Sequence, residues 1–91
     1  MTLIVHFEPQ NMNTAIYAEV MRRLDAAGAA APKGRIHHTS YGPPEALRVV
    51  DIWDTAEHFK AFGATLMPIM AALGVIVPEP VIMPVTNVVR G

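Results

Sequence analysis

The sequence predicts an α+β chain in which a four-stranded antiparallel sheet carries two helices on one face. Three observations lead there. Apolar periodicity switches between two and about 3.6 residues in the order strand, helix, strand, strand, helix, strand. Pro84 falls inside the last strand-like run and requires a sheet edge, because proline cannot donate to a ladder. The first, third and fourth strand runs are also apolar on both faces, which one layer of helices cannot cover.

The first strand, Thr2 to Glu8, sets Leu3, Val5 and Phe7 against Ile4, His6 and Glu8, and Pro9 closes it. Asn13 is an N-cap for a helix from Thr14 to about Ala27, ended by Gly28. Ile16, Tyr17, Val20, Met21 and Leu24 form its apolar stripe. Two β-rich runs, Arg35 to Tyr41 and Leu47 to Asp54, follow as a hairpin joined by the turn chemistry of Gly42, Pro43, Pro44 and Glu45. Thr55 caps a second helix whose Phe59, Phe62, Leu66, Ile69 or Met70, and Leu73 share one face; Pro68 is expected to kink it or restart it. Beyond Gly74 and the stiff Pro78-Glu79-Pro80, the run from Val81 to Arg90 reads as the fourth strand. Right-handed crossovers turn this order into a ferredoxin-like βαββαβ unit, strand order 4-1-3-2, covering residues 1–91 as one domain. Strand 4 then lies at an edge, where Pro84 is tolerated.

Composition narrows the function classes. In 91 residues, 52% are hydrophobic, more than so small an interior holds, and a second copy of the chain is the simplest cover for the surplus. Seven basic and eight acidic residues give a net charge of −1 with no basic cluster, so nucleic acid is not an expected partner. The absence of cysteine rules out disulfide and thiolate chemistry and suits a cytoplasmic protein; the N-terminal residues have no basic signal-peptide region. The uncharged stretch from Ala61 to Pro78 is interrupted by Gly63, Pro68 and Gly74, so no membrane span is expected.

The residues that carry chemistry cluster on the third strand. Asp51 and Trp53 share a face of a central strand, where a carboxylate is desolvated and needs a partner. Across an antiparallel hairpin, opposite residue numbers have a constant sum. An odd sum sets His38 against Asp51 on the Trp53 face, and an even sum sets His37 there. An Asp–His pair beside an indole reads in two ways. As chemistry, Asp51 orients His38 as a general base, and Trp53 stacks on a flat substrate. As structure, the pair only satisfies a buried carboxylate. Tyr17 either projects its hydroxyl into a cavity or reaches a backbone partner from the core. Asn87, late in strand 4, is a further candidate ligand contact, as is His6. His37 and His38 point to opposite faces and no histidine has metal-ligand spacing, so no metal is expected.

Arg48-Val49-Val50-Asp51-Ile52-Trp53-Asp54, with Glu57, Phe59, Phe62 and Leu66-Met67-Pro68, resembles the dimeric α/β barrel superfamily, in particular the antibiotic-biosynthesis-monooxygenase-like proteins. Pro84-Val85-Thr86-Asn87 is similar to a Pro-Val-His-Asn ending in small members. The resemblance implies a homodimer with facing sheets and a pocket between sheet and helices in each subunit; the enzyme reading expects no cofactor. Such proteins include cofactor-independent oxygenases of quinol-like polyphenols, haem-degrading monooxygenases and muconolactone isomerases. Trp53 matches the Trp of the haem-degrading type, but Gly63 stands where its helix His is expected. Val49 replaces the Asn of the polyketide-oxidising type, and Thr86 the His of the ending. The leading expectation is a monooxygenase or isomerase acting on a small, flat, aromatic or quinol-like substrate. A non-catalytic binding protein or a structural dimer is the alternative.

Overall fold

The computed structural model describes residues 1–91. Its elements are β1 (Leu3–Phe7), α1 (Thr14–Ala26), β2 (Arg35–Tyr41), β3 (Arg48–Trp53), α2 (Ala56–Ala72) and β4 (Val81–Pro84). The sheet runs β2-β3-β1-β4, which from the other edge is the expected order 4-1-3-2, and every pairing is antiparallel. Pro84 is on the edge strand, opposite Leu3.

Local chemistry sets the helix starts. The Asn13 side chain accepts the Ile16 N–H at 2.8 Å, and Thr55 accepts the His58 N–H at 3.2 Å. Both caps satisfy a donor that the first helical turn leaves free. On the wet side of α1, Glu19 bonds Arg22 and Arg23, which hold its carboxyl down at about 2. Pro68 does not restart α2, which runs through it as one 17-residue helix. Leu66, Ile69, Met70 and Leu73 pack into the core on either side of the proline and hold the helix against the lost hydrogen bond.

Strand 4 is shorter than the sequence predicts. It ends at Pro84 rather than Arg90, because β1 begins at Leu3 and offers no partner beyond it. One last bond, from the Val85 N–H to the Thr2 carbonyl, closes the ladder before the chain leaves the sheet.

The register sorts each strand into two faces. Leu3, Val5 and Phe7 of β1 lie with Val49, Asp51 and Trp53 of β3, and the two helices cover that side. Val5, Met12, Val20, Leu24 and Trp53 are its most buried members. Ile4, His6, Val50, Ile52, Val81 and Met83 occupy the other face, which no helix covers. Val81 and Met83 are more than half exposed there.

Candidate functional site

Asp51 is the one charged residue in the buried set, 3% exposed at the centre of β3. The hairpin register sets His38 directly opposite, so the odd sum holds. Nδ1 of His38 lies 2.5 Å from Oδ1 of Asp51, and Nε2 lies 2.6 Å from the Tyr17 hydroxyl. An ionised carboxylate only accepts, so His38 Nδ1–H donates to Asp51. That leaves Nε2 as an acceptor, and the Tyr17 hydroxyl donates to it. The phenol and imidazole rings lie almost parallel, at 2°. Strand β3, strand β2 and helix α1 thus each contribute one member of a continuous chain, Asp51–His38–Tyr17.

The chain lines a cavity of about 40 Å³ between the sheet and the helices. Most of the remaining wall is apolar, with Met12, Met21, Leu66 and Met70 prominent and Arg35 the one cation. A volume of that size holds about three waters, whereas small-molecule sites usually run to roughly 300 Å³ or more. A small-molecule ligand would fit only by displacing side chains, and the three unbranched methionines are the easiest to move. The loops at the cavity's rim are pinned by a two-residue bridge. Gln10 N–H donates to the Ile76 carbonyl at 2.7 Å, and Ile76 N–H returns the bond at 3.1 Å.

The other candidates fall elsewhere. Trp53 is on the same sheet face as His38 but is fully buried between Phe59 and Phe62 and does not line the cavity. Its Nε1–H has no partner. His6 is on the opposite face, hydrogen-bonded to Tyr41 and stacked on its ring, because it alternates with the inward Val5 and Phe7. Asn87 lies past the end of β4 and is exposed. His37 faces away and bonds Thr39. His58, in the first turn of α2, is half-buried and bonds Asp54 at 2.7 Å. That bond, opposed by desolvation, holds the Asp54 carboxyl below its ordinary value. No three metal-ligating side chains converge anywhere in the chain, and no helix is long and apolar enough to cross a membrane.

Sequence reasoning missed two features. One is the direct Tyr17–His38 bond, a tertiary contact between residues 21 apart. The other is Arg35, brought into the wall by a β-bulge.

No family model and no curated protein matches the sequence. Solved structures do match the fold. SnoaB, a cofactor-independent oxygenase from Streptomyces nogalater, aligns with a TM-score of 0.62 at 18% identity over 99% of this chain and 96% of that one. A protein of Chloroflexus aurantiacus assigned to antibiotic biosynthesis monooxygenases aligns at 0.61 and 17% identity, over 99% and 97%. A conserved protein of Methanosarcina mazei aligns at 0.58 and 16%, over 91% and 90%. With the strand order, the two helices on one face and near-complete coverage in agreement, this chain shares the ferredoxin-like α+β fold of these structures.

Proposed function

We propose that the protein is a cofactor-independent monooxygenase that removes a proton from a small, flat, hydroxylated aromatic substrate and lets the resulting anion react with dioxygen. The Asp51–His38–Tyr17 chain at the wall of an apolar cavity carries this reading. A substrate hydroxyl donates to the Tyr17 oxygen, whose own proton passes to Nε2 of His38. Asp51 then holds the imidazolium through Nδ1–H. The substrate anion reduces dioxygen by one electron, and recombination forms a carbon–peroxide bond. The carbon attacked is the ring position para to the hydroxyl, which is a CH₂ in the keto tautomer of the substrate; protonation by His38 and loss of water convert it to a carbonyl, so CH₂ and O₂ become C=O and H₂O. The substrate supplies the electrons. The protein supplies a base, a fixed geometry and an apolar surround in which the anion is not quenched by solvent protons. The same anion reprotonated at another carbon gives an isomerase, and the fold's oxygenase neighbour favours the first course.

The protein is also proposed to act as a homodimer through the uncovered sheet face, where Ile4, Val50, Ile52, Val81 and Met83 form an apolar surface. Light scattering should then give twice the 9.9 kDa chain mass. A stable species at the chain mass refutes it.

The functional test is oxygen consumption with anthrone-type substrates, whose keto tautomer carries the reacting CH₂. His38→Ala and Tyr17→Phe should each lower turnover by about 10²–10⁴-fold, the usual contribution of a positioned proton acceptor, while circular dichroism stays native. Binding without turnover in the native protein assigns it to ligand binding instead. Turnover that survives both substitutions defeats the mechanism.

A further inference from the structure

Arg35 and His38 are three residues apart and in a regular strand would point to opposite faces. They do not, because the β2–β3 register shifts between Arg35 and His37. Arg35 pairs with Trp53 and His38 with Asp51, and Asp51 and Trp53 share the inward face. The bulge thus turns a guanidinium into the wall that also holds His38, Tyr17 and Asp51.

That guanidinium has no carboxylate partner. The ion pairs of the chain use Arg22, Arg23, Arg48, His38 and His58, and Asp51 is already engaged by His38. Arg35 sends one N–H to the Ala30 carbonyl at 3.0 Å and lies over the Phe62 ring, 5.6 Å from its centre. These contacts fix its position and leave most of its five donors unused. A half-buried, pre-oriented cation in an apolar wall is an incomplete ion pair.

We infer that Arg35 receives a carboxylate, so that the substrate is a hydroxyaryl carboxylic acid held by Arg35 at one end and presented to Tyr17 and His38 at the other. The inference rests on the proposed proton-transfer site and adds to it the charge of the substrate. The bulge sets Arg35 and His38 opposite Trp53 and Asp51, two positions apart on β3, which separates them by roughly 7 Å along the sheet, a distance that one aromatic ring with para substituents spans. A planar carboxylate also matches the planar fork of the guanidinium, which a carbonyl or hydroxyl does not.

The test is calorimetric binding of para-hydroxybenzoate against para-hydroxybenzamide, a neutral ligand of the same shape. The native protein should prefer the acid by about 10- to 100-fold, the ratio expected for hydrogen bonds to a charged group. Arg35→Met, which keeps an apolar stem over Phe62, should abolish that preference and leave amide affinity within about twofold. Arg35→Lys should restore part of it and serves as the second variant if Arg35→Met does not fold. Oxygen consumption by the same native protein separates this inference from the mechanism: acid preference without turnover keeps the role of Arg35 and defeats the proton-transfer reading. Equal affinities for acid and amide, no measurable affinity for the acid, or a preference that survives Arg35→Met each overturns the proposal, whether or not the protein turns over substrate.

Discussion

Replacing the Asp51–His38 pair one member at a time, and then both together, tests how the polar chain is held. Asp51 and His38 side chains are 4% and 20% exposed and 2.5 Å apart. His38→Leu leaves a carboxylate uncompensated in a nearly closed site and takes away the acceptor of the Tyr17 hydroxyl. Together these should cost about 4 kcal/mol. Asp51→Leu leaves His38 Nδ1–H without an acceptor but keeps the bond to Tyr17, and should cost about 2 kcal/mol. Additivity would put the double variant near 6 kcal/mol. Desolvation predicts otherwise: with both polar groups gone and two apolar side chains buried, only the Tyr17 hydroxyl is orphaned, and the cost should be about 1 kcal/mol. Adding Tyr17→Phe should recover that remainder. Urea unfolding followed by circular dichroism at neutral pH gives each value, with protein concentration held fixed because a dimer's stability depends on it. A double variant destabilised by the sum of the singles, within about 0.5 kcal/mol, would refute the coupling and with it the picture of one continuous polar chain.

Two further substitutions probe its surroundings. Gly34→Ala should destabilise by about 2 kcal/mol or more in thermal unfolding, since Gly34 has φ +89° and a Cβ there would meet Asp54 Oδ1 and His58 Nδ1 at 2.4 Å; a neutral result would show that this turn relaxes freely. Trp53→Phe should cost less than about 2 kcal/mol in urea unfolding despite the residue's complete burial, because it removes an indole N–H that has no partner; a loss of 4 kcal/mol or more would mean that the N–H is satisfied.

The fold was legible because its signals are local and redundant. Asn13 and Thr55 mark helix starts, Gly42 to Glu45 mark the hairpin, and Pro84 selects the edge. The Asp51–His38 pair was legible up to a parity, which one register settles. The site beyond it was not. Trp53 stands on the expected face, but whether an indole lines a cavity or fills the core depends on how Phe59 and Phe62 close over it. Asn87 lies three residues past the end of its strand, since a β-rich run pairs only as far as its neighbour extends. His6 alternates with Val5 and Phe7 and so could not share the Asp51 face, an exclusion that strand parity already contains. Arg35 escaped because parity itself fails across a bulge.

That failure bears on what the site is for. A regular β2 would send Arg35 to the uncovered face and would pair more simply with β3. Instead the strand gives up one ladder position and brings a cation into the wall that also holds the buried carboxylate, its imidazole partner and, from α1, the phenol. If apolar residues can fill the positions of Asp51, His38 and Tyr17 at little cost, folding does not explain why polar ones are there. A core built only for stability would carry no half-buried guanidinium without an anion and no imidazole fixed at both nitrogens. Each group has its orientation set by the protein, Arg35 by Ala30 and Phe62, His38 by Asp51 and Tyr17. What remains open on each is what a substrate would use: the free donors of the guanidinium and the lone pair of the Tyr17 oxygen. Preorganised polar groups facing a small apolar void bind and move charge better than they stabilise a fold.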